Sequence, residues 1–206
     1  MMQDQKTTFK NLSVSLPSFL KNKNLIYIAK GKRSYVFKDE KGNALKIQRE
    51  DTEAQNSLER EGKVLRKLNK YKIGPRLLKT GKNYIYYKFV EGTLIVKYLQ
   101  TAKNSKPLLK DILKQCRILD TLHFTKEEMH KPVKHIFVRN NKATMIDFER
   151  CHETNKPKNV TQFIQFLTGK IVNRYNKKQR EKLLHLAIEY KKDPSDKNFR
   201  TILSSL

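Results

Sequence analysis

From Leu25 onward, apolar and polar residues alternate at the two-residue period of a strand. The segments LIYIAKGKRSYVFKD and NALKIQRE are rich in β-branched and aromatic residues and predict strands, with a Lys41-Gly42-Asn43 turn between them. The period then lengthens. Leu58, Leu65 and Leu68 recur at helical spacing, and the helix is expected to stop at Gly74-Pro75. RLLKTGKNYIYYKFV returns to strand as a hairpin about Gly81-Lys82-Asn83. Past Glu91-Gly92 the chain turns helical: LLKDILKQCRILDTLHF puts Leu109, Ile112, Leu113, Cys116, Leu119 and Leu122 on one face. HIFV and ATMIDF read as short strands around an Arg139-Asn140-Asn141-Lys142 turn. Two helical stretches, VTQFIQFLTG and KQREKLLHLAIEYKK, follow. Ahead of Leu25, Phe9, Leu12, Leu16, Phe19 and Leu20 are spaced as in a short helix packed on the body.

Strands with one helix, then a glycine break, then helices around a short hairpin make an α+β layout. The expected divisions are an N-terminal extension (1–24), a strand-rich lobe (25–91) and a helical lobe (92–206). The 206 residues suffice for two small lobes sharing a cleft. Charge adds a separate expectation. Forty-five Lys and Arg against 20 Asp and Glu give a net charge of +25, a field that attracts polyanions. Nucleic acid, including the ribosome, is the leading candidate partner and an anionic membrane surface the next. A lysine-rich proteome would also supply lysines, but here the acids are scarce too. Two cysteines, no apolar run long enough to span a membrane and an N-terminus without a signal-peptide stretch point to a reducing, cytoplasmic location.

Four groups of residues can carry chemistry. In the first strand pair, Ala29, Gly31 and Ser34 are small and Val36 follows, so the hairpin backbone can approach a ligand closely. Lys46 stands among apolar neighbours in a strand, where an ammonium needs an anionic partner or a route to water. Glu61 lies on the apolar stripe of Leu58, Leu65 and Leu68 and is the natural partner, whereas Glu59 sits on another face. Asp147 follows Met145 and Ile146 at the end of a strand. His130, His135 and His152 with Cys151 match no usual zinc spacing.

In order and spacing these pieces resemble the protein-kinase-like superfamily over roughly residues 25 to 170. Size and layout are nearest to the small atypical kinases of the RIO/Bud32 type. The run IDFERC followed by KPKNVTQF is similar to a group of small archaeal and bacterial serine/threonine kinases. The resemblance implies a bilobal fold with a minimal C-lobe, ATP and Mg²⁺ as cofactors and a protein hydroxyl as acceptor. It implies a phosphate loop at Gly31, Ser34 and Val36, read as A-x-G-x-x-S-x-V against G-x-G-x-x-G-x-V. It implies Lys46 on the phosphates, oriented by Glu61, and Asp147 on the metal, with Glu149 in place of the usual glycine. Lys88–Gly92 resembles the linker between lobes, where backbone near Phe89 and Glu91 would meet adenine.

The catalytic loop departs from the pattern. KEEMHKPVKHIFV holds neither the Asp nor the Asn of H-R-D-x-x-x-x-N. Aligned on HIFV, His135 takes the Asn position, a second metal ligand, and His130 the Asp position. His in place of that Asn resembles the lipopolysaccharide core sugar kinases. Three options stand: His130 is the base, Glu127 or Glu128 is, or the protein binds nucleotide without fast transfer. A nucleotide-switched RNA-binding module and a sugar or lipid kinase are the competing functions.

Overall fold

The computed structural model describes residues 14–21, 23–52 and 56–206; the expected Phe9 and Leu12 positions lie outside them. The chain divides into two compact units, one ending at Val90 and one beginning at Glu91.

The first unit is a five-stranded antiparallel sheet. Its strands are β1 (Leu25–Lys30), β2 (Ser34–Asp39), β3 (Asn43–Gln48), β4 (Leu77–Thr80) and β5 (Tyr84–Lys88), in the order β1-β2-β3-β5-β4. Helix α1 (Ser57–Leu68) joins β3 to β4. The sheet is covered on both sides, and the two-residue period sorts its side chains. Leu45 and Ile47 join Phe37, Tyr86 and Leu20 in one core, roofed by Val14, Leu16 and Phe19 from the segment before β1. A 3-10 turn at Ser18–Leu20 is the helical part of that segment. Lys46 and Ile85, directly paired across β3 and β5, face α1 instead.

The sequence pattern carried α1 to Gly74, but the helix ends at Leu68. Asn69 takes over the chain direction. Its side-chain amide donates to the Ile73 and Pro75 carbonyls, both at 3.0 Å, and its oxygen accepts from the Leu77 amide at 2.7 Å. Side-chain bonds of this kind compete with helix continuation.

The second unit runs β6 (Thr93–Leu94), α2 (Ile95–Thr101), α3 (Lys106–Thr121), β7 (Phe124–Lys126), β8 (Ile136–Arg139), β9 (Lys142–Met145), β10 (Cys151–Glu153), α4 (Asn159–Thr168), α5 (Lys177–Lys192) and α6 (Asp196–Ser204). β6, β8 and β9 form one small sheet, and β7 pairs with β10. The β8–β9 turn is built on Asn140 and Asn141, both left-handed, which matches the twist of a two-residue hairpin. Buried Leu109, Ile112, Leu113, Cys116 and Leu119 of α3 and Val160, Phe163, Ile164 and Leu167 of α4 form the helical core. Helix α6 was not foreseen; its marks are the Ser195 cap, which accepts from the Asn198 amide, and buried Phe199 and Ile202 three positions apart. No described helix is long and apolar enough to cross a membrane.

Candidate active site

In the first unit, Lys46 Nζ donates to Glu61 Oε2 at 2.8 Å, with side chains 9% and 2% exposed. Two local features bring them together. Leu45 and Ile47 commit the flanking positions of β3 to the opposite core, so Lys46 must project under α1. Gly62 then lets the helix lie down. A Cβ there would stand 3.0 Å from Thr80 Cβ and 3.3 Å from Ile85 Cγ2, so a larger residue would lift α1 off β4 and β5. Glu59 turns away and pairs with Lys63 at the surface at 2.7 Å. Val36 is the cross-strand neighbour of Lys46.

The β1–β2 hairpin is pinned at its tip. The Gly31 amide donates to the carbonyl of buried Ser34 at 2.8 Å. Arg49, just past β3, reaches back with its guanidinium to the carbonyls of Gly31 (3.1 Å) and Lys32 (3.3 Å), and its backbone N–H donates to Arg33 O at 3.0 Å. The same guanidinium grips the Asp51 carboxylate. At the β2–β3 turn, Asp39 accepts from Asn43 N (2.8 Å), Asn43 Nδ2 (3.1 Å) and the Tyr86 hydroxyl. Burial works to raise the Asp39 carboxyl, but these donors outweigh it and hold the group below its ordinary value. Burial and the Asp39 bond push Tyr86 up to about 12. The Phe89 amide donates to Gly42 O at 3.1 Å, and its ring lies 4.5 Å from Lys38 Nζ.

In the second unit, the Ile146 amide donates to His135 O at 2.9 Å, one step past the β8–β9 ladder. Asp147 then turns into the left-handed region, φ 61°, an uncommon conformation that Asp tolerates. Lys126 sustains it. This lysine is fully buried, and its ammonium donates to the Asp147 carbonyl and, at 3.0 Å, to Glu128 Oε2. It also lies 4.9 Å from the centre of the buried Phe148 ring. The Asp147 side chain is 39% exposed, and its Oδ2 lies 3.9 Å from His135 Nε2. His130 is exposed and its Nδ1 sits 2.7 Å from Glu127 O. A carbonyl only accepts, so Nδ1 carries the hydrogen and Nε2 is the free acceptor when the ring is neutral. Glu127 faces Lys158 (3.4 Å) and His152 (3.8 Å). Glu91 pairs with Arg139 at 2.7 Å on the surface. Gly92 has a structural reason of its own: at φ 143°, a Cβ would meet Val138 O at 2.6 Å.

Beneath this loop, Asn159 Oδ1 accepts from the Lys126 amide at 2.8 Å, while its Nδ2 donates to Phe124 O (2.6 Å) and Asp120 Oδ1 (2.7 Å). Asp120 also takes the first α4 amides, Asn159 N at 2.9 Å and Val160 N at 3.3 Å, and the Tyr190 hydroxyl at 3.2 Å. Burial still pushes its carboxyl up.

Neither a protein family nor a curated protein matches the sequence. Solved structures do match. The aminoglycoside phosphotransferase APH(2″)-Ib in its ADP-bound form superposes with a TM-score of 0.52 at 13% identity, covering 91% of this chain and 94% of that one. APH(2″)-IIa, from a ternary complex with streptomycin and ATP, gives 0.54 at 15% identity, covering 86% and 91%. The fold is protein-kinase-like. Within this kinase-like fold Lys46 stands on the third strand, Glu61 on the helix that follows, and Asp147 just after the β8–β9 hairpin.

Sequence reasoning missed Arg49, Gly62, Asp120, Lys126 and Asn159. Asp120 had a readable signal, the one that marked Glu61: a carboxylate four residues past Cys116 on an apolar helical stripe. Lys126 had almost none, since β7 is three residues long and shows no period.

Proposed function

We propose that this chain is a Mg·ATP-dependent phosphotransferase. The observation that carries the reading is the buried Lys46–Glu61 pair on a kinase-like fold. A buried ion pair stabilises little compared with apolar residues of the same volume, so its presence calls for a role beyond stability. Lys46 holds the nucleotide phosphates and Glu61 orients it. Gly31, Ser34 and Val36 form the loop over the phosphates, and the backbone of Phe89 to Glu91 meets the adenine. Asp147 is a hard oxygen donor with a part-exposed side chain, which suits Mg²⁺, and His135 is the second candidate ligand beside it. The metal, when bound, neutralises charge on the phosphates. Glu128 and His130 are the candidates to take the acceptor's proton. Glu128 is favoured because Lys126 ties it to the carbonyl of Asp147.

The acceptor is a protein serine or threonine, as in kinases of the RIO/Bud32 type. An aminoglycoside, the acceptor class that the two similar solved structures are named for, is the second reading. A net charge of +25 repels a polycationic sugar and disfavours it. Thermal unfolding with and without Mg·ATP is the test. Ligand at about a hundred times its dissociation constant adds about 2.7 kcal/mol, a rise expected for wild type and lost in Asp147→Ala. No rise at millimolar Mg·ATP would overturn the reading.

A further inference from the structure

The connection from α1 to β4 is a feature that phosphotransfer does not require. Between residues 62 and 90 the sequence holds nine Lys and Arg and no Asp or Glu. Several of these cations gather at one turn: Lys70, Lys72 and Arg76 are exposed around the end of α1. Lys72, Arg76, Asn69, Gly74 and Leu77 line a cavity of about 530 Å³. Tyr71, between two of the lysines, is 49% exposed.

The frame under these groups is fixed in advance. The Asn69 side chain spends its donors on the Ile73 and Pro75 carbonyls and its acceptor on the Leu77 amide. Carbonyls at the end of a helix ordinarily disfavour an anion. Here several are already occupied, Leu65 O and Lys67 O by the Asn69 amide and Leu68 O by the Ile73 amide. Cations on a stiff turn, a concavity of nucleotide size and an aromatic ring open to solvent are what a single nucleic-acid strand uses: charge along the backbone and a face for a base. An anionic membrane would find little apolar surface beside the cations to insert, only Tyr71 and the half-buried Leu77, and an acidic peptide would leave the ring unused. The Tyr71 hydroxyl can also both donate to and accept from a ribose 2′-OH.

We propose that the α1–β4 turn is a docking surface for single-stranded RNA, with Lys70, Lys72 and Arg76 on phosphates and Tyr71 stacked on a base. The proposal is independent of the phosphotransferase reading and is tested without nucleotide. Fluorescence anisotropy would follow an unstructured, labelled RNA of about 12 nucleotides, within the usual range of single-strand site sizes. Salt would be varied from about 50 to about 200 mM. The comparison is wild type, Tyr71→Ala, a Lys70→Gln/Lys72→Gln/Arg76→Gln triple, and a control Lys177→Gln/Lys178→Gln/Lys182→Gln triple on α5 with the same charge change. All these positions are exposed, so each variant should melt as wild type does.

The turn triple should lose more than tenfold in affinity, and its salt slope should become shallower by about 2. Tyr71→Ala should lose about tenfold without changing that slope. The control should stay within about threefold of wild type. Equal losses in the two triples would overturn the proposal, because net charge alone would then be responsible. Binding of poly-glutamate, of anionic vesicles or of DNA of the same sequence as tightly as the RNA would overturn it as well.

Discussion

The Lys46–Glu61 pair makes a prediction in which stability and function move in opposite directions. The two charges lie 2.8 Å apart, and the side chains are 9% and 2% exposed, so neither has much water to fall back on. Removing one partner from such a pair costs about 3–5 kcal/mol, because the other charge stays buried without it. The exposures order the two cases. Lys46→Met leaves the more deeply buried carboxylate and belongs at the upper end, about 5 kcal/mol. Glu61→Leu leaves an ammonium on a long stem that can shift toward solvent, and belongs near about 3 kcal/mol. The double variant removes both charges at nearly constant volume, so it should be less destabilised than either single change and approach wild type. Urea unfolding at low temperature, followed by far-ultraviolet circular dichroism, gives all three values. Thermal shift with Mg·ATP should be lost in every variant, the stable double included. A double variant as destabilised as the sum of the singles would show that the pair is not coupled as its geometry requires. A double variant that still takes up nucleotide would sever the pair from function.

Two further outcomes follow from the same unit. Gly62→Ala removes a helix-interior glycine, which on propensity alone would add about 1 kcal/mol. It should instead destabilise by about 1–3 kcal/mol, because the new Cβ is driven against Thr80 and Ile85; chemical unfolding reads the sign directly. The Asp39–Tyr86 cluster sets limits at both ends of the pH scale. Asp39 is held below its ordinary 3.8, so the stability it lends is complete above that value and is lost as pH falls through the lower folded value. Tyr86 is pushed from 10.0 to about 12, so its share is complete below pH 10 and is lost as pH rises between those values. Melting temperatures across pH should therefore show Tyr86→Phe losing the alkaline fall and weakening the acid one. Unchanged limbs would mean that the cluster is not coupled.

The parts of the fold that were legible in the sequence are those where charge or glycine interrupts a periodic pattern. Strands β1 to β5, β8 and β9 and helices α1, α3, α4 and α5 could be read because their apolar residues keep a period. Glu61 stood out because it broke an apolar stripe, and Lys46 because it broke an apolar strand. Elements too short to have a period, such as β6, β7 and β10, were not readable, and Lys126, which stands on β7, was missed with them. The end of α1 was misplaced for a related reason. Glycine and proline mark where a helix must have stopped, while a side chain such as Asn69 can stop it five residues sooner by offering the backbone other partners.

Lys126 sharpens what the atypical loop means. Against the kinase motif, KEEMHKPVKHIFV shows only losses, an Asp and an Asn that it lacks. The structure fills part of that gap with a different charge arrangement: a fully buried ammonium that binds the Asp147 carbonyl and the Glu128 carboxylate together. A buried lysine of this kind has no stabilising advantage over an apolar residue. What it supplies is geometry, a left-handed Asp147 fixed before any ligand arrives and a carboxylate held beside it. Both units therefore use the same device, a buried lysine matched to a glutamate, at the residues to which a phosphotransferase reading assigns the phosphates and the metal.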